Sequence, residues 1–233
     1  MHRLATELKS YCTLEQNQVL CFDLLTPEEY DLFNNNMVVV NYKEGETICK
    51  QGAFANHILI LREGLAKLYM ESANENLVLQ ILPPNNIIGL ASCFEGNQVF
   101  YYSAQAYIES TVQLIDMNIF LQVLGSNALF ARKMLSLLAE HSVIIYGRFF
   151  CLTQKQTYGR FADVLLCLAN RIYKDTKFPL HLSRKELAEL SGMSVESIAR
   201  ILTSFKTDGL IEVGPDFIEI IDPDKLQKIS MKG

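Results

Sequence analysis

Glu196 and Arg200 stand four residues apart in "SVESIARILTSFK". On a helix that spacing sends both side chains out on one face. A guanidinium offers two parallel donors that fit O6 and N7 of guanine, and a carboxylate accepts from N4 of cytosine. A Glu and an Arg placed this way can read a G·C pair along its major-groove edge. Near them stand Ser183, Arg184, Ser194 and Ser197, hydroxyls and a cation suited to phosphate oxygens, with Val195 at the exposed start of the same segment. Phosphate contacts fix register without specifying sequence, so the two sets have separable roles.

The neighbouring residues supply the elements needed to position these groups. Ser183 with Glu186 three residues on makes a capping box, and Leu187, Ala188 and Leu190 give a short helix its apolar face. Gly192 allows the sharp turn, and Ser194 caps a second helix whose buried face is Ile198, Ile201, Leu202 and Phe205. Two β-like runs, "LIEV" and "FIEII", follow around Gly214 and Pro215 and read as a hairpin. The order cap, helix, glycine, cap, helix, hairpin is that of a winged helix-turn-helix. A plain helical hairpin with a surface Glu and Arg is the competing reading.

The charge distribution agrees with this placement. Over the 233 residues the net charge is −5. Residues 1–150 hold 9 basic and 15 acidic groups, whereas 151–233 hold 12 and 11, so a nucleic-acid partner belongs to the C-terminal third. Six scattered cysteines without a CxxC spacing read as reduced thiols, and no metal site or catalytic constellation is expected. The start of the chain lacks a continuous apolar run, and "VIIYGRFFCL" is short and carries Arg148. The expectation is therefore no signal peptide, no membrane span and a cytoplasmic protein.

Upstream, Thr26 and Glu29 form another capping box, with Pro27 at the first helical position. From Met37 to about Met117 short β-rich runs alternate with turns, which predicts an antiparallel jelly-roll sandwich or barrel. "NIFLQVLG" predicts a short helix, and a long helix follows with Asn127 as its cap. On it one apolar row runs through Phe130, Met134 and Leu137 and reaches Ile144 by way of His141. A second row runs through Ala131, Leu135, Leu138, Ile145 and Phe149. Two apolar faces on one helix require two partners, the sandwich and a second copy of the chain. The dimer contact is expected from Met134, Leu137, Leu138, His141 and Ile145. The fold expected is α+β in three parts: residues 1–126 as N-terminal helices and effector-sensing β-barrel, 127–152 as dimerisation helix, and 153–233 as winged helix-turn-helix domain.

"YKEGETICKQG", "ILILREGLAKLY", "ILPPNNIIGL" and "SAQAYIESTVQLIDMNIF", together with "LSRKELAELSGMSVESIARILTSFKTDGLI", resemble the Crp/Fnr transcription regulators over nearly the whole chain. The resemblance implies a homodimer, an inverted-repeat operator in double-stranded DNA, and RNA polymerase as partner. In cyclic-nucleotide-binding members of that family a Glu follows the glycine matching Gly89, and an Arg with a small residue holds the cyclic phosphate. Here those positions carry Leu90, Phe100 and Tyr101. A phosphodiester buried without a cation or placed donors loses several kcal/mol, so cAMP is not the expected effector. With His141, these residues outline the expected effector pocket. A haem- or redox-sensing version of the regulator stays open, with His57 or His141 as iron ligand. An interaction module without DNA binding, or an enzyme, are the readings from other classes.

Overall fold

A computed structural model describes residues 21–72, 76–93 and 98–232. The described chain falls into two compact units, one ending at His141 and the other beginning at Ser142.

In the first unit, α1 (Pro27–Asn35) starts where the capping box predicts it. Glu29 N donates to Thr26 Oγ1 at 3.3 Å, and Thr26 N donates to Glu29 Oε2 at 2.9 Å. Eight strands follow: β1 (Met37–Tyr42), β2 (Thr47–Cys49), β3 (His57–Glu63), β4 (Ala66–Met70), β5 (Leu77–Leu82), β6 (Asn86–Ile88), β7 (Ser103–Ala106) and β8 (Ser110–Asp116). They make two four-stranded antiparallel sheets, ordered β1-β8-β3-β6 and β2-β7-β4-β5. The fold is jelly-roll-like, with the sheets left open rather than closed into a barrel. Strand alternation turns Leu59, Leu61, Ile88 and Val112 of one sheet, and Leu68, Leu82 and Ala104 of the other, into one shared core.

α2 (Met117–Ser126) follows β8 directly. α3 (Ala128–Gln154) begins at Asn127, whose Oδ1 accepts from Leu129 N and Phe130 N at 3.1 and 3.0 Å. The Asn127 amide also donates to Leu24 O at 2.9 Å, which ties the start of α3 to the segment before α1. Phe33, Phe120 and Phe130 pack ring on ring, with centroids 5.5 to 6.2 Å apart, and join α1, α2 and α3.

The second unit contains the rest of α3, α4 (Thr157–Cys167), a π-helical turn (Leu168–Tyr173), β9 (Lys177–Pro179), α5 (Arg184–Ser191), α6 (Val195–Thr207), β10 (Ile211–Val213), β11 (Phe217–Ile220) and α7 (Pro223–Lys232). β9 adds to the hairpin, giving the sheet order β10-β11-β9. The sequence placed a new helix from Thr153; α3 instead runs on to Gln154, and α4 starts at Thr157. At this junction Lys155 Nζ lies 2.7 Å from Asp163 Oδ2 and 3.2 Å from Ser230 Oγ, and Ser230 donates to Asp163 Oδ1. This buried polar cluster fixes α7 against α4.

By length and composition α3 is apolar enough to cross a membrane, but only 28% of its apolar window is buried within the chain. Its two rows are used differently. Phe130, Met134, Leu137 and Ile144 are buried. Leu135 and Phe149 are 68% and 69% exposed.

Candidate nucleic-acid interface and effector pocket

The helix-turn-helix forms as the local signals require. Ser183 Oγ accepts from Glu186 N at 3.2 Å, and Glu186 Oε2 accepts from Ser183 N at 2.8 Å. α5 ends at Gly192, whose φ of 59° is left-handed, the region that favours glycine. Met193 N donates back to Ala188 O at 3.1 Å, a Schellman closure that turns the chain into α6. Ser194 then caps α6 by accepting from Ser197 N at 3.2 Å.

Ile198, Ile201, Leu202 and Phe205 of α6 are buried, and Phe205 stacks on Phe161 at 6.1 Å. That burial leaves Val195, Glu196 and Arg200 exposed at the start of the helix and along its outer face, with Ser197 half-buried between them. Arg200 Nη2 lies 3.4 Å from Ser197 Oγ, which itself lies 3.0 Å from Ser194 Oγ. Ser183 and Arg184 are exposed at the start of α5. The α5 and α6 N-termini bring free backbone N–H groups to the same motif, a setting that favours phosphate oxygens.

The second candidate site surrounds Gly89, whose φ is 101° and which opens a 3-10 turn at Leu90–Ser92. Leu90 and Phe100 are buried at 5% and 7% exposure and belong to the core, while Tyr101 is 36% exposed. Phe100 is held by its backbone: its N donates to Ala53 O at 2.9 Å and its O accepts from Gly52 N at 2.8 Å. The Phe100 ring reaches Gly89, where an added Cβ would sit 3.2 Å from Cε1. Two residues further on, Tyr102 Oη accepts from Gly89 N at 3.0 Å. Burial pushes the Tyr102 phenol up to about 12. The aromatic run therefore alternates, with Phe100 and Tyr102 inward and Tyr101 outward. Tyr102 was not among the sequence-based pocket residues, although its position two after Phe100 was the available signal.

His57 pairs across β3 and β8 with Asp116, and His141 is half-buried on α3. Among the described residues no group of three or more His, Cys, Asp or Glu side chains converges as a metal site. Burial pushes the Cys49, Cys93 and Cys151 thiols up to about 12, 11 and 12.

On α3 the structure corrects part of the expected dimer contact. Met134 and Leu137 are 2% and 1% exposed inside their own unit's core, so they have no surface to offer another chain. Leu138 is half-buried against that core, and Ile145 is 36% exposed. Open apolar residues in and beside the second row include Leu135, Ile145, Tyr146 and Phe149.

Residues 39–127 match the model for a cyclic nucleotide-binding domain, and residues 159–229 the model for a Crp-like helix-turn-helix domain. The chain is 27% identical to Electron transport regulator A of Shewanella oneidensis, over 81% of this chain and 76% of that protein. It is 24% identical to the Cyclic AMP receptor protein of Thermus thermophilus, over 90% of this chain and 95% of that one. The structure of FixK2 from Bradyrhizobium japonicum superposes with a TM-score of 0.75 at 20% identity, covering 83% of this chain and 96% of that one.

Proposed function

The chain belongs to the Crp/Fnr family of DNA-binding transcription regulators, and on that premise we propose that it reads an inverted-repeat operator as a homodimer, under an effector other than cAMP. The observation that carries the DNA reading is the exposed Glu196–Arg200 face of a capped α6 whose other face is buried. Glu196 and Arg200 read a G·C pair in each half-site. Ser183, Arg184, Ser194 and Ser197 hold phosphates. Two copies place their α6 helices in successive major grooves, about 34 Å apart. The second apolar row of α3, from Leu135 through Ile145 to Phe149, meets its counterpart in the second copy, because one chain leaves it uncovered. That contact is also our reading of the apolar length of α3, in place of a membrane. The site of action is the cytoplasm, with RNA polymerase as the partner at the promoter.

The departure from a cyclic-nucleotide pocket rests on Gly89. The Phe100 ring and the Tyr102 phenol lie against it, and Phe100 itself stands at the position where the resemblance would put the Arg. Selection of binding sites from random DNA tests the whole reading. An inverted repeat with a G·C pair in each half-site is expected; its absence overturns the assignment of α6.

A further inference from the structure

We propose that Arg148 and Leu152 of α3 form a clamp on the turn of the helix-turn-helix, making Arg148 a positioning residue for base reading. The inference rests on the DNA-binding reading above and adds a residue that lies outside the motif.

The two side chains are four apart on α3 and so leave on one face. Both meet the same feature. Arg148 is 8% exposed, and its Nη2 donates to the backbone carbonyl of Leu190, in the last turn of α5. Last-turn carbonyls lack an intrahelical donor. Here Ala188 O and Glu189 O are satisfied by the backbone N–H groups of Met193 and Gly192, and Leu190 O receives the guanidinium. A cation at that place also meets the negative end of the α5 dipole. One turn along α3, Leu152 closes on Gly192: a Cβ there would lie 2.8 Å from Leu152 Cδ2. The exit of α5 and the glycine that launches α6 are thus held from outside the motif, polar on one side and steric on the other. Leu152 is itself fixed, because Arg160 Nη1 donates to Leu152 O at 3.1 Å.

The clamp has a functional consequence. Glu196 and Arg200 read bases only if α6 enters the groove at one angle, and that angle is set at Gly192–Ser194. Loosening the turn should spoil base reading more than phosphate contact, because Ser183 and Arg184 lie at the far end of α5 from the turn.

The test uses full-length Arg148→Met, which keeps the stem and removes the donor, and Arg148→Lys, which restores a cation. A charged hydrogen bond is lost, so operator affinity in Arg148→Met should fall about tenfold. Affinity for unrelated DNA should fall much less than operator affinity, and Arg148→Lys should recover part of the loss. Hydrogen exchange supplies a readout that needs no DNA. Amides of residues 188–194 should exchange faster in Arg148→Met, with those of α4 and α7 unchanged. Unchanged exchange at the turn overturns the clamp, whatever the DNA result. Faster exchange with wild-type operator discrimination leaves α6 free of the turn and overturns the positioning role. If Arg148→Met does not fold, Leu152→Ala, which removes the steric half of the clamp, carries the same comparisons.

Discussion

At the scale of single residues, function depends on a few exposed polar groups and a few buried ones. Arg200 is exposed, and its hydrogen bond to Ser197 at 3.4 Å is long, so the guanidinium can leave it for a base. Arg200→Ala should weaken operator binding by about 1–3 kcal/mol and erase the preference at one guanine, as measured by competition against single-base variants. Arg184→Ala should weaken all sequences alike and reduce the slope of log affinity against log salt by about one. The cysteines make the opposite case. The thiolate is the reactive form, and burial raises the thiol pKa of Cys49, Cys93 and Cys151 to about 12, 11 and 12. At neutral pH these groups stay protonated, and the thiolate grows only as pH rises toward those values. Alkylation of native protein at pH 7, followed by mass spectrometry, should leave all three unmodified until denaturant is added. Rapid native labelling of Cys93 would reopen the redox-sensing reading.

At the scale of elements, α3 decides most. Its first row is spent inside the chain, from Phe130 and Met134 in the core of the first unit to Arg148 and Cys151 in the second. Its second row is not. Leu135 and Phe149 are 68% and 69% exposed in one chain, so replacing them leaves the folded unit intact. Leu135→Glu and Phe149→Glu should each give a monomer in sedimentation, since burying an unpaired carboxylate between two helices is unfavourable by several kcal/mol. Thermal stability of the monomer should change little. A dimer that persists in both variants would place the contact on another element. Leu138, half-buried against the core, is the poorer probe, because a charge there disturbs the fold and the contact together.

At the scale of the molecule, our reading of the first unit turns on the residues around Gly89. Ligand that binds the folded state must raise its stability by mass action. With Phe100 and Tyr102 on Gly89, cAMP at about millimolar concentration should leave the melting temperature and operator affinity unchanged. A concentration-dependent rise in either would show that the aromatic side chains swing aside. A Soret band in freshly purified protein, lost in His141→Ala, would establish the haem version of the regulator.

The sequence alone was enough for whatever contiguous residues decide. The capping boxes at Thr26 and Ser183, the Asn127 cap, the Gly192 turn and the exposed Glu196–Arg200 face were all legible, because a cap or a helix face depends on neighbours within about one turn. The strand-rich segment ending at Asp116 was legible for the same reason. What was not legible depends on residues far apart in the chain. Two apolar rows on α3 look alike as a pattern, and only packing against Phe33 and Phe120 shows that Phe130, Met134 and Leu137 belong to the interior. The strand order β1-β8-β3-β6 joins segments about 70 residues apart, which no local period encodes. Tyr102 meets Gly89 across 13 positions, and Arg148 meets Leu190 across 42. In the sequence Arg148 was only a charge interrupting an apolar run. Its role as a hydrogen-bond donor was settled in three dimensions, where a buried guanidinium must find an acceptor and the end of α5 had a carbonyl to offer.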